Sequence, residues 1–407
     1  MKIINGGVTA AKGFEAASAA AGIKYEGRTD MALIYSQVPC KTAGTFTKNV
    51  VKAAPVVWDR EIVNNKIKSQ AVIVNSGIAN ACTGEEGMHY CKETAEAAAK
   101  ILGVNADGVL VGSTGVIGMQ IPIEKLKNGV KLLAEDKKEG IEAGNAAAKA
   151  IMTTDTVEKE VAVTIEIGGK TVTIGGMCKG SGMIHPNMCT MLGYITTDAK
   201  ISWKALQKAL REDVEDTYNM VSVDGDTSTN DTVLLLANGM AGNKKIKEDT
   251  QEYEIFKEAL HYVNETLAKK IAGDGEGATA LLEVIVTGAS IKEQAKVLAK
   301  SVVCSNLTKA AIAGHDANWG RILCAMGYSG AQFDPEKVDL YFESAAGKLQ
   351  IIENGVALDY SEEKATEILS QPEVTVTADI KEGAEKAAAW GCDLTHGYID
   401  INADYRS

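Results

Sequence analysis

The stretch that most restricts the fold is VAVTIEIGGKTVTIGGM, residues 161–177, in which apolar and polar side chains alternate on both sides of Gly168 and Gly169. A period of two puts successive side chains on opposite faces of a pleated strand, and a Gly-Gly pair supplies the left-handed backbone that a two-residue turn needs. The segment therefore predicts an antiparallel hairpin that delivers the chain to Lys179. From there KGSGMIHPNMC, rich in glycine and irregular, runs into TMLGYITTDAKI, which reads as a buried strand. Strands and helices mix along the rest of the chain without an internal repeat. AVIVNSG (71–77) reads as a strand and GMHYCKETAEAAAKILG as an amphipathic helix closed by Gly103. SWKALQKALREDVEDTYNM and EYEIFKEALHYVNETLAKKIA read as further helices, with TVLLLANG between them as a strand. Beyond LLEVIVTGA come a helix near 292–304, strands in VDLYFES and LQIIENGVAL, and a last strand in YIDINADY. An α/β chain of 407 residues is long for one core. A boundary near Gly288 divides it into domains 1–287 and 288–407.

Charge and cysteine usage exclude several functions. A net charge of -12 and a pI near 5.1 argue against nucleic acid or anionic membrane as partner, which leaves small molecules. The 8 cysteines form no C-x-x-C pair and the 5 histidines do not cluster with them, so neither a zinc site nor a disulfide framework is expected. No apolar run approaches the roughly 18 residues of a membrane span, and the N-terminus lacks a secretory h-region. The expectation is a cytoplasmic protein with reduced thiols.

Thr190 stands at the seam between the glycine-rich segment and the strand. Residue type and place allow two readings. One is a β-branched residue that opens a strand. The other is an N-terminal nucleophile: the chain cuts itself before Thr190, and the freed α-amine, with an ordinary pKa near roughly 8, acts as base for the hydroxyl of the same residue. Gly180 and Gly182 would give the backbone the freedom that the preceding N-to-O acyl shift demands.

The segment KGSGMIHPNMCTML is accompanied, in order over essentially the whole chain, by GVTAAKGFEAASAAAGIK, AGTFTKNVVKAAPV, VNSGIANACTG, GSTGVIG, AIMTTDT, SVDGDTSTNDTV, GDGEGAT, NWGRIL and INADYRS. Together these resemble the ornithine acetyltransferase (ArgJ) family. The resemblance implies a layered α-β-β-α sandwich, similar to N-terminal-nucleophile enzymes, with a smaller C-terminal α/β domain. It implies self-cleavage between Cys189 and Thr190 into residues 1–189 and 190–407, which stay together, and assembly of two such pairs into a heterotetramer. The implied activity is ping-pong transfer of acetyl from N2-acetylornithine to glutamate through Thr190, in arginine biosynthesis. By the resemblance Thr114 and Gly115 of GSTGVIG would form the oxyanion hole, where spacing alone favours an ordinary glycine turn. Substrate contacts map onto Thr153, Lys179, Thr190, Glu276, Asn402 and Ser407. Lys179 suits a carboxylate and Glu276 an ammonium group, or a modulating role near the nucleophile, although either charge taken alone also fits a solvated surface. A role for the terminal Ser407 implies that YIDINADYRS docks as a strand.

No metal and no cofactor is implied. Acetyl-CoA stays open as a second donor, because the family contains enzymes of both kinds and no phosphate-binding glycine-rich loop marks a site for it. SVDGDTSTND (222–231) lacks the spacing of a calcium loop and reads as a buried, hydrogen-bonded turn that supports the site. His185 reads as a structural histidine near the scissile bond. Ala10, Ile78, Ala280, His315 and Ala317 depart from the family pattern, as does Cys189 where alanine is more usual. Two other functions fit the same residues: a self-cleaving aminopeptidase or amidase of the same fold, and a non-catalytic amino-acid-binding protein.

Overall fold

The computed structural model describes residues 1–185 and 191–403, which form two compact units. The first comprises residues 1–180, 191–218 and 227–267; the second comprises 181–185, 219–226 and 268–403.

The first unit is organised by one long strand, Met31–Phe46. Its first half pairs antiparallel with Phe14–Ala19 on one side and with Ser69–Ile78 on the other, and Ser69–Ile78 pairs in parallel with Val109–Val116. Its second half, Lys41 to Phe46, pairs antiparallel with Thr232–Ala237. From there the sheet continues through Leu192–Thr197, Lys170–Lys179 and Lys159–Ile167 to Lys2–Ile4. The register breaks between Tyr35 and Cys40, so the strand serves two halves of the sheet in turn. Those halves face each other: Ile34, Val72 and Leu110 from one share a buried cluster with Met177, Leu192 and Leu234 from the other. Helices Gly84–Leu102 and Ile123–Asp136 cover the outer side of the first half, packing Ala95, Ala98, Leu126 and Val130 against Leu33 and Ile73. On the second half, strands Leu192–Thr197 and Thr232–Ala237 are buried along their whole length, as strands covered on both faces must be. The result is the expected α-β-β-α sandwich. The hairpin is present as read: Lys159–Ile167 and Lys170–Lys179 pair from Ile167 opposite Lys170, with Gly168 at φ +58° and Gly169 at φ +72°.

The second unit holds a seven-stranded sheet in which Leu281–Ala289 is central, parallel to Glu373–Asp379 and antiparallel to Glu385–Cys392. Helix Lys292–Val303 packs on it through Ala295, Leu298, Ala299 and Val302. The boundary expected at Gly288 is therefore misplaced. Gly288 lies within a central strand, where the register shifts between Val286 and Ala289, and a Cβ there would meet the Asp379 carboxylate at 2.2 Å. The glycine marks a bulge and a close approach, not a linker. The units instead change hands within the long helix Gln251–Gly273.

Candidate active site

In the first unit, the GSTGVIG motif sits on the end of Val109–Val116. Pairing with Ser69–Ile78 runs regularly until Gly77 faces Gly115, where Ile78 then faces both Thr114 and Val116. Only glycine tolerates this bulge: Gly115 has φ +130°, and a Cβ on it would lie 2.2 Å from the Gly77 carbonyl carbon. Buried amides brace the turn. Asn75 Nδ2 donates to the Ile78 carbonyl at 2.9 Å, and Ser113 Oγ lies 2.6 Å from the same oxygen and 2.8 Å from Asn75 Oδ1. Asn230 Nδ2 donates to the carbonyls of Ala79 and Ser113. The SVDGDTSTND stretch thus supports the site through its buried end, while Gly225 and Asp226 are exposed. Ile78 is buried and enters this network only through its carbonyl, so the side chain at this position, one of those that depart from the family pattern, makes none of these hydrogen bonds.

Lys179 ends the second hairpin strand and is 7% exposed. Its Nζ donates to Thr153 Oγ1 at 2.7 Å and lies 3.4 Å from Thr114 Oγ1 and 3.7 Å from Asp155 Oδ2. Asp155 is the hub: its Oδ1 accepts from Lys159 Nζ at 2.8 Å and from the Gly180 N–H at 2.6 Å, and its Oδ2 accepts from the Thr153 N–H at 3.1 Å. Burial alone would push the Asp155 carboxyl up, but the charges of Lys179 and Lys159 and the hydrogen bonds it accepts outweigh that and hold it well below the usual carboxylate range. Arg28 fixes the same loop by donating to the carbonyls of Met152 and Thr153. Lys179 thereby touches both Thr114 and Thr153, two other residues expected at the site.

In the second unit, Glu276 is 6% exposed and accepts from Asn402 Nδ2 at 2.7 Å. Its backbone N–H donates to the Ser181 carbonyl, and a Cβ on Gly182 would collide with its carboxylate at 2.3 Å. Gly277, at φ +70°, lets the backbone of Gly397 and Tyr398 approach, where a Cβ would sit 2.5 Å from the Tyr398 nitrogen. The last expected strand is corrected here: His396–Ala403 is a helix, closed by Asn402 Nδ2 donating to the Tyr398 carbonyl at 3.0 Å. YIDINADY alternates like a strand, but none of the helix's described residues is buried, so no sheet face draws the alternation into a ladder. Asp224 anchors the segment that leads to the seam, accepting from the N–H groups of Met183 and Ile184 at 2.6 and 2.8 Å, with Tyr398 Oη at 3.3 Å. His185 Nδ1 lies 3.0 Å from Ser222 Oγ, and burial, with the charge of Lys300, pushes its pKa down to about 4. It is neutral at ordinary pH.

Cys189, Thr190 and Ser407 lie outside the described residues. Sequence reasoning missed Asp155, Asp224 and Tyr398. The first two stand inside quoted motifs, AIMTTDT and SVDGDTSTNDTV, where an aspartate among short hydroxyl residues signals a side chain that accepts backbone N–H groups. Tyr398 carries no such signal.

A double-sided α/β sandwich in which a glycine bulge lies next to a threonine hydroxyl and a buried, ion-paired lysine is the candidate active site of an α/β enzyme. The model of the ArgJ family matches residues 15–407, and the chain belongs to that family. It is 52% identical over 398 residues to the arginine biosynthesis bifunctional protein ArgJ of Thermotoga neapolitana, covering 97% of this chain and 99% of the relative. It is 50% identical over 408 residues to the protein of the same name from Caldanaerobacter subterraneus, covering 100% of both. A crystal structure of arginine biosynthesis bifunctional protein ArgJ from Bacillus halodurans, 44% identical, superposes with a TM-score of 0.50 over 53% of this chain and 99% of that one. Among the described residues no helix is long and apolar enough to cross a membrane.

Proposed function

We propose that the protein moves an acetyl group from N2-acetyl-L-ornithine to L-glutamate in arginine biosynthesis, through an acetyl ester on Thr190 formed after self-cleavage between Cys189 and Thr190. The observation that carries this reading is Lys179, an ammonium group held in a buried network against the Thr114 and Thr153 hydroxyls. Both substrates carry an α-carboxylate, and a compact cation suits it. In the first half-reaction the Thr190 hydroxyl attacks the acetyl carbonyl while the free α-amine of the same residue takes its proton. The oxyanion is met by the Thr114 hydroxyl and the Gly115 N–H, donors worth about 2.7 to 4 kcal/mol each in such holes. The C–N bond breaks, the proton passes to the departing α-amine of ornithine, and the α-amine of glutamate then attacks the ester and returns Thr190. Glu276, with Asn402, pairs with the ammonium end of ornithine, and Ser407 completes the contacts. The same ester is open to formation from acetyl-CoA, which the word bifunctional in the relatives' names favours, and the chemistry calls for no metal or resident cofactor. Two cleaved pairs form the working assembly, in the cytoplasm, where the scattered, unpaired cysteines suit reduced thiols.

Intact-mass analysis of the purified protein, before and after brief exposure to N2-acetylornithine and an acid quench, tests this directly. Two chains divided before Thr190, with one acetyl added to the second, is the expected result. A single unlabelled chain removes the base and with it the mechanism. Release of free acetate as fast as ornithine, without glutamate, would turn the reading toward an amidase.

A further inference from the structure

The first unit carries a surface cavity of about 880 Å³ whose charged lining is entirely cationic. That sign is unexpected in a chain of net charge -12. Helix Trp203–Asp216 presents Lys204, Lys208 and Arg211, at spacings that stack them along one side of the helix. Across the cavity stand Arg60, on helix Ala54–Asn64, with Lys48, Lys52 and Lys66 on the flanking loops. Lys204 and Lys208 pair with Glu248 and Glu212, neither of which lines the cavity, and Lys52 donates to the Asn49 carbonyl. Lys48, Arg60, Lys66 and Arg211 have no ion-pair partner among the described residues. Unpaired cations gathered around one concavity repel one another and are stabilised by an anion that spans them.

The floor adds an aromatic element. Trp203 donates its indole N–H to the Thr42 carbonyl at 3.1 Å, which fixes the ring, and Phe46 lines the cavity nearby. Gln207 seals the strand edge beneath, exchanging hydrogen bonds with the backbone of Gly44 at 3.0 and 2.9 Å, so the floor is preformed. Just outside, Lys41 is lowered in pKa by burial and by Lys245, Lys68 and Lys200, so the positive field extends along this flank. Fixed aromatic faces stack bases while cations hold phosphates. The volume lies within the range of small-ligand sites.

We propose that this cavity binds a nucleotide carrying two or more phosphates, with the base on Trp203 and the phosphates among Arg60, Lys208 and Arg211. The inference stands apart from the acetyl-transfer reading, because none of these residues takes part in it. Either a free nucleotide or the nucleotide end of a coenzyme carries this chemistry. The test is titration calorimetry on the whole protein with ADP, coenzyme A and inorganic pyrophosphate as probes, for the wild type, the Lys208→Ala/Arg211→Ala double variant and Trp203→Ala. ADP is expected to bind, about tenfold or more weakly to the double variant and with a shallower salt dependence. Trp203→Ala is expected to weaken ADP but leave pyrophosphate unchanged. Transfer of acetyl from acetylornithine to glutamate should be unaltered in both. Coenzyme A at least about tenfold tighter than ADP supports the site as a coenzyme handle, and equal affinities support it as a free-nucleotide site. No saturation by any probe near about 1 mM, equal affinity in the double variant, or pyrophosphate binding as tightly as ADP overturns the proposal.

Discussion

At the residue scale the site rests on one carboxylate. Asp155 is buried between Lys159, itself fully buried, and Lys179. A buried pair broken from one side leaves uncompensated charge, so Asp155→Asn should lower unfolding free energy by about 3–5 kcal/mol in urea titrations. A loss below about 1 kcal/mol would mean that water reaches the lysines. Asp155 titrates lower when folded than when unfolded, so its contribution is fully present above the unfolded value near about 4 and drains as pH falls toward the folded value. The variant should therefore show a flatter acid limb. Gly182 makes a different prediction. A Cβ there strikes the far end of the Glu276 side chain, not backbone, so Gly182→Ala should fold and cleave yet displace Glu276 from Asn402. Its kcat for acetyl transfer should fall about as far as that of Glu276→Gln. A variant as active as the wild type would show that the Glu276–Asn402 contact is not needed.

At the element scale the hairpin was legible because alternation and two adjacent glycines leave one solution, and the amphipathic helices were legible from their period. The strand Met31–Phe46, which decides the architecture of the first unit, was not. SQVPCK interrupts it with Pro39, which argues against a strand; yet Pro39 lies between Ser36 and Cys40, where neither flanking ladder asks for its missing N–H. The glycine turn at Gly115, proposed as part of the oxyanion hole, could be read only through family resemblance, since the glycine is needed because of a Gly77 carbonyl nearly forty residues away. The helix His396–Ala403 was misread for the same kind of reason: a period of two is decided by burial, and none of its described residues is buried. That exposure carries its own prediction. Ending the chain after Thr395 removes Asn402 and the Tyr398 contact to Asp224 but, among the described residues, no buried apolar side chain, so Tm should fall by no more than a few degrees while acetyl transfer is lost. A collapse of Tm by ten degrees or more would assign the helix to the fold rather than the site.

At the scale of the whole molecule, the proposed cleavage before Thr190 would have to leave the pieces together, and the sheet of the first unit provides for that. Ile174 to Lys179 pairs with Leu192–Thr197, and Lys41 to Phe46 pairs with Thr232–Ala237, so two strands of the second product lie between strands of the first within one sheet. Buried residues from both, such as Met177 with Leu192 and Val74 with Leu234, share one cluster. Each product alone would expose strands buried on both faces, so neither is expected to fold by itself. Unfolding of the cut protein then becomes dissociation as well. Its midpoint in guanidinium should rise with concentration, each tenfold increase adding about 1.4 kcal/mol, as for any complex with no folded monomer. The uncut Thr190→Ala protein has the same sheet in one chain, and its midpoint should not move. A cut protein whose midpoint ignores concentration would mean that one product keeps its fold without the other, and the shared sheet would not be what holds the two together.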